Sequence, residues 1–235
     1  MKKPLLKSIV EEFSWGRPIG TYNKVQLIYS RMIRGRTSQM KKVQKLNLSY
    51  LNIGCGESEH KDFINLDYQW RPNVHICWDI TRGLPFDSGS IKGIFIEHCL
   101  EHISFSQCQS VLKELYRILK PNGTVRIIAP DAELYFDLYQ KERNGETVSF
   151  PYVGEEDIRK GFTPMMAVNR IFRNHGHQYA YDARTFEMLL RNAGFGSIRR
   201  VAFMEGTDKT LLVDSEFRRI ESLYIEATKT ADGGA

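Results

Sequence analysis

Beyond residue 48, apolar positions come in short unbroken runs separated by longer stretches with a helical period, the pattern of strands alternating with helices. The runs at 49–53, 63–66, 74–78, 91–96 and 124–129 predict five strands of a mostly parallel sheet covered on both faces. Between them, Val111, Leu112, Leu115, Ile118 and Leu119 make one stripe of a helix over 106–120, which Pro121-Asn122-Gly123 ends with turn chemistry. Asp131 is placed to cap a further helix that Asn144-Gly145 closes, and 182–192 reads as another, stopped by Gly194. Two late strands, 197–203 and 222–228, are expected as an antiparallel edge pair. The first crossover is anomalous. Only nine residues separate the runs at 49–53 and 63–66, fewer than a helical crossover normally takes, so its helix is expected to shrink to a single turn.

That cramped crossover carries the candidate chemistry. It reads LNIGCGESEHKDFINLD from Leu51 to Asp67: a strand, a Gly-x-Gly turn, and a second strand ending on an acid. Gly54 and Gly56 let the backbone turn and lie against a ligand, and Asp67 at the strand's carboxyl end can accept both ribose hydroxyls. A dinucleotide site needs more: a third glycine where Glu59 stands, a helix N-terminus facing the pyrophosphate, and an acid roughly 20 residues on. Here Asp67 follows Gly54 after only 13 positions, and Glu57 and Glu59 flank the turn. Two carboxylates there would repel a pyrophosphate and tolerate a cation. S-adenosylmethionine (SAM), with a sulfonium, an ammonium and no phosphate, fits that field.

Composition changes this picture only at the N-terminus. The 235 residues, 42% hydrophobic and 26% charged, suit one large core with a modest appendage. Cys55, Cys77, Cys99 and Cys108 form no C-x-x-C pair, and the opening MKKPLLKSIV is broken by Lys7 and followed by Glu11 and Glu12. No export signal is therefore expected, and a reducing cytoplasm fits. Net charge is +5, but residues 1–48 carry +9 and the remainder −4. Within that basic segment Val25, Ile28, Tyr29, Met32 and Ile33 recur at helical spacing, and Arg31, Arg34, Arg36, Lys41, Lys42 and Lys45 crowd the stretch that follows. The expected organisation is a basic helical extension over 1–48, a cofactor-binding domain over 49–229, and a disordered tail over 230–235. The extension reads first as a brace packing its apolar stripe on the core, then as a membrane-surface helix, then as a phosphate-tracking arm for nucleic acid. No aromatic stacking platform accompanies the basic run, which places the last reading third.

Taken together, LNIGCG, INLD, DITRGLPFDSGSI from Asp79, EHCLEHI from Glu97, LKPNGTVRIIAPD, and HGHQYAYDARTFEMLLRNAGF from His175 resemble the class I SAM-dependent methyltransferases, specifically the methyltransferase type 11 group. The resemblance spans residues 49–229. It implies a Rossmann-like, doubly wound α/β fold with a seven-stranded sheet and SAM across the carboxyl ends of the first strands. Carried over by position, Gly54, Cys55 and Gly56 face the methionine moiety, Asp67 and Tyr68 take the ribose, and Asp79 with Ile80 borders the adenine. Glu97 and His98 then fall near the reacting methyl. The chain departs from the family pattern at Lys92, where an acid is common, and in the brevity of the first crossover.

Methyl transfer requires a nucleophile aligned on an activated carbon, exclusion of water, and a proton acceptor only where the nucleophile is neutral. His98, at a strand end, is the candidate for that acceptor, because imidazole is the side chain most easily poised near neutrality. Glu101 and His102 begin a helix, where a carboxylate answers free N–H groups and a histidine packs. His102, His175, His177 and Tyr179, with Tyr181, are expected on the acceptor side. A metal reading takes His98, Cys99 and His102 as ligands, but a helical pair needs further ligands that no other motif supplies, so no metal is expected. Tyr135, Phe136 and Tyr139 read as a helix face. The expected activity is transfer of the SAM methyl, leaving S-adenosylhomocysteine (SAH), to a small molecule such as a saccharide or another cell-surface or secondary metabolite. The alternatives are an RNA or protein methyltransferase recruited by the basic arm and a non-catalytic module that uses the same pocket.

Overall fold

A computed structural model describes residues 28, 36–58 and 60–231 of the chain, and within it the alternating pattern resolves into a seven-stranded sheet. The strands are β1 (Tyr50–Ile53), β2 (Phe63–Asp67), β3 (Ile76–Cys77), β4 (Ile91–Glu97), β5 (Leu119–Pro130), β6 (Ser197–Val201) and β7 (Ser222–Thr228). Their order across the sheet is β3-β2-β1-β4-β5-β7-β6. All pairs from β3 to β5 are parallel, and β7 runs antiparallel between β5 and β6. The central register aligns Ile53 with Leu66 and Ile96, and Ile127 with Ile96 and Ile225. Strand order reverses between β1 and β4, which opens a ligand crevice at their carboxyl ends.

Helices α1 (Arg36–Leu46), α2 (Phe105–Ile118), α3 (Ala132–Arg143), α4 (Glu155–Arg159), α5 (Pro164–Arg173) and α6 (Ala183–Ala193) complete the described elements. Their ends follow the local chemistry read above. Ser104 and Gln107 form a capping box on α2, Asp131 caps α3, Asp182 accepts from Thr185 N–H to cap α6, and Gly194 closes α6. The apolar stripes of α2 and α6 pack on Leu51, Ile53, Ile64, Leu66, Ile94, Ile96, Val125 and Ile127, all essentially inaccessible to water. Val43 of α1 joins this core, and the Gln39 side chain accepts the Cys77 N–H at 2.7 Å, so α1 lies along the β3 edge with Lys41, Lys42 and Lys45 outward. Ile28 is exposed, and Val25, Tyr29, Met32 and Ile33 lie outside the described residues.

The opposite face of the sheet is roofed differently. No helix occurs in the β1–β2 crossover among the described residues, where residues 54–58 form turns, so even the expected single helical turn is absent. Tyr50, Phe63, Phe95, Ile128 and Tyr224 are covered instead by the β6–β7 connection through Phe203, Leu211 and Val213. Arg126 holds that connection down from beneath. Its guanidinium donates to both Asp214 carboxylate oxygens at 2.7 and 2.6 Å, to Glu226 at 3.2 Å, and to the Glu205 and Ala202 carbonyls. The chain also departs from expectation at 121–123. Asn122 takes a left-handed turn conformation (φ 62°), yet β5 already begins at Leu119 beside Ile91, with a register shift before Gly93 that absorbs the irregularity. The strand expected at 74–78 contracts to two residues.

Candidate functional site

The glycine turn is pinned to the end of β2: Gly54 and Cys55 N–H groups donate to the Leu66 carbonyl at 2.9 and 3.2 Å, and Gly56 N–H donates to Asp67 Oδ2 at 2.9 Å. Gly54 has φ 71°, and a Cβ there would stand 2.8 Å from the Cys99 Cβ and Sγ, so both backbone shape and space demand glycine. Asp67 Oδ1 accepts the Gln69 N–H at 2.7 Å and faces Arg71 at 3.5 Å. The carboxylate is thus fixed by the backbone on both sides of it. On the next strand end, Asp79 Oδ1 caps a 3-10 turn by accepting from Thr81 N–H and Oγ1, and its Oδ2 lies 3.3 Å from the mostly exposed Arg82. Asp79 Oδ2 accepts no hydrogen bond and is available to a ligand beside Arg82.

These groups line one cavity of about 370 Å³. It brings together Gly54, Gly56, Asp67, Tyr68, Asp79, Ile80, His98, His102 and His175 of the expected residues, and adds Gln69, Arg71, Trp78, Thr81, Cys99 and Ile103. Arg71 had a signal in the sequence, four positions after Asp67. Glu57 is exposed and lines outer pockets instead, so the charge that disfavours a pyrophosphate comes from Asp67 and Asp79 rather than from the turn; Glu59 lies outside the described residues. The missing crossover helix removes the N–H array that a pyrophosphate needs.

Four expected residues do not reach this cavity. Cys55 lines an adjoining pocket, its thiol pushed up to about 12 mainly by burial. Glu97 lines the same pocket. Its carboxylate accepts from the Ser215 N–H at 2.9 Å and from the Ser215 hydroxyl, tying β4 to the β6–β7 connection rather than facing the Asp67 side. His177 sits behind His102 with ring centroids 4.9 Å apart, and Tyr179 is tilted against Phe105 and Tyr181.

His98 does not fit the part of proton acceptor. It leaves β4 with a left-handed φ of 47°, and its Nε2 lies 2.8 Å from Ser222 Oγ. That hydroxyl gives its single proton to the Arg218 carbonyl at 2.8 Å, so Nε2 must be the donor and Nδ1 is left bare. Nδ1 faces Glu101 at 3.7 Å and Glu221 at 3.9 Å. Burial first, then the Arg218 charge and the neighbouring histidines, push His98 down to about 2, which makes it a feeble base. Burial likewise lowers His102, to about 4, and His177. Glu101 is pushed up to about 8 by its own burial, against a smaller favourable effect of its backbone amide.

Comparison with known proteins agrees with this geometry. A family model described as "Methyltransferase domain" matches residues 58–127. A curated relative, the demethylmenaquinone methyltransferase of Lactococcus lactis subsp. lactis (strain IL1403), is 28% identical over 134 residues, 54% of this chain and 48% of the relative. Over residues 58–127 this chain thus matches a methyltransferase domain. It spans about half the length of the curated relative it matches. Solved structures similar to it include a SAM-dependent methyltransferase from Archaeoglobus fulgidus, at 16% identity and TM-score 0.49 over 86% of this chain and 98% of that one. Another, from Thermotoga maritima, is 15% identical with TM-score 0.47, covering 86% of this chain and 94% of that one. The sheet has the class I methyltransferase strand order. A cavity of about 370 Å³, lined by two fixed carboxylates and an open glycine turn, suits a cationic nucleoside of that size.

Proposed function

We propose that this chain is a SAM-dependent methyltransferase acting on a small molecule, with the acceptor entering at the histidine end of the Asp67 cavity. The cofactor supplies an electrophilic methyl carbon on a sulfonium, so the chain's residues need only hold, align and desolvate. Asp67 holds the ribose hydroxyls with the carboxylate lone pairs that Gly56 and Gln69 leave free. Ile80 and the open Asp79 oxygen border the adenine, Tyr68 and Trp78 wall it, and Gly54 and Gly56 admit the amino-acid portion against bare backbone. His98, kept neutral mainly by its burial and held in one tautomer by Ser222, orients the neighbouring wall and moves no proton. His102 and His175 shape the acceptor's entry.

One observation carries the reading: the cavity lined by Asp67 and Asp79 is also lined by His98, His102 and His175, and Arg71 is the one lysine or arginine among its described lining residues, so it is not a basic groove. The described basic helix supports it from the other side. Val43 and Gln39 of α1 are buried on the core and the β3 edge, which suits a brace better than an arm for nucleic acid or membrane. Incubating the full chain with methyl-labelled SAM and a cell extract separated into metabolite, RNA and protein fractions tests the proposal. Label is expected in the metabolite fraction; label confined to RNA or protein contradicts it.

A further inference from the structure

Glu101 stands out among the buried polar groups. Its residue is 1% exposed, and neither carboxylate oxygen has a hydrogen-bond partner. Its helix-start position was expected to satisfy free N–H groups, which it does not do. Around it stand three imidazoles: His98 Nδ1 at 3.7 Å and His102 Nε2 at 3.8 Å from Oε1, with a ligand atom of His177 in a common cluster whose members all lie within 4.8 Å of one another. Protonation does not satisfy the group. A carboxylic acid proton would have to reach His98 Nδ1 across 3.7 Å, beyond hydrogen-bonding distance.

Two of these imidazoles keep one bare nitrogen, His98 at Nδ1 and His177 at Nε2. His177 Nδ1 lies 2.7 Å from the Ile171 carbonyl, which can only accept, so Nδ1 carries the proton and Nε2 keeps its lone pair. A backbone acceptor behind one ring nitrogen is how proteins orient an imidazole toward a metal. The segment that carries His177 is strapped over the 3-10 turn of Leu100–His102: Gln178 N–H donates to the Glu101 carbonyl at 2.7 Å, and Gln178 Nε2 donates to the His102 carbonyl at 2.6 Å. The strap fixes His177 beside His102 across a long stretch of sequence.

We propose that Glu101, His102 and His177 bind a first-row divalent cation, with His98 beside it and an oxygen of the acceptor completing the coordination. Two imidazoles and one carboxylate are donors for Zn²⁺, Mn²⁺ or Fe²⁺ rather than for Mg²⁺ or Ca²⁺, and three protein ligands leave positions open for substrate. Ligand bonds of about 2.0–2.2 Å at tetrahedral angles put donor atoms about 3.3–3.6 Å apart, so His102 and Glu101, now 3.8 Å apart, need close by a few tenths of an ångström and the widest pair by about an ångström. Of the three, His102 lines the Asp67 cavity while Glu101 and His177 lie behind it, which places the ion in the wall at the cavity's acceptor end. The acceptor class follows: a hydroxyl compound whose oxygen the ion holds and makes easier to ionise, releasing its proton to solvent. That last step rests on the small-molecule reading above; the ion site does not.

The test is titration of the full, chelator-treated chain with Zn²⁺ or Mn²⁺ by calorimetry, with bound metal counted by elemental analysis. One ion per chain is expected, weakened at least tenfold in Glu101→Gln and in His177→Ala. SAH binding by the same variants reports that they are folded. With Co²⁺ as probe, visible d–d absorption without a thiolate charge-transfer band is expected, since Cys99 is not a ligand. Absence of stoichiometric binding, or binding that both variants leave intact, overturns the proposal even if SAH still binds. Stoichiometric metal without methylation of any hydroxyl compound leaves the site standing and removes the acceptor class.

Discussion

Arg126 and Glu101 are sealed from water to the same degree, 0% and 1% exposed, and are treated in opposite ways. Arg126 has two carboxylates and two carbonyls arranged around its guanidinium, and the network closes the sheet face that the missing crossover helix leaves open. The Glu101 carboxylate has no hydrogen-bond partner and faces His98 Nδ1, which is itself bare. A buried charge with all its partners is architecture, because removing one partner exposes the cost of burying the others. A buried carboxylate without partners is a cost the fold bears, and such costs gather where ligands bind.

The contrast predicts different responses to substitution. The largest effect is expected from Arg126→Met, which leaves Asp214 buried with only the Met204 N–H and Glu226 with only Arg199 and Thr207; a loss of about 3–5 kcal/mol in chemical denaturation is anticipated. Retained stability would break the comparison at its first term. Gly54→Ala comes next, with roughly 1–2 kcal/mol from the left-handed backbone and a similar amount from the clash with Cys99, read as a lower midpoint. Ser222→Ala removes the acceptor that fixes the His98 tautomer. A cost of about 1 kcal/mol is expected, and nitrogen NMR of the ring should show two tautomers where the parent shows one. Smallest is Glu101→Gln in the metal-free chain. Replacing an unsatisfied acid by a neutral isostere should change stability by less than about 1 kcal/mol in either direction, and a loss as large as that of Arg126→Met would mean the two clusters are alike.

How much of this could be read from the sequence depends on the distance over which each feature is decided. Asp67 at its strand end, the glycine turn, the Asp131 cap, the α3 boundaries and the two late strands rest on neighbours in the chain, and all were legible. The parallel order was legible because unbroken apolar runs need cover on both faces. What failed was long-range. Glu97 looked like a cofactor contact at a strand end, but Ser215 claims its carboxylate from the far side of the chain. The metal reading stalled at His98, Cys99 and His102 because no spacing rule brings His177 to Glu101; the Gln178 strap does so only in three dimensions. Arg126 read as one residue of a buried strand, since Asp214 and Glu226 sit 88 and 100 positions away. The α5 helix passed unnoticed because its stripe of Ala167, Val168 and Ile171 follows a turn-rich stretch.

The account depends most on the Asp67 cavity being the cofactor site. Calorimetric titration of the full chain with SAH, repeated on Asp67→Ala, tests this directly. One saturable site is expected in the parent, with affinity reduced about 100-fold or more in the variant, equivalent to roughly 2.7 kcal/mol. Binding of equal strength in Asp67→Ala, or tight uptake of NADH with no response to SAH, would contradict it.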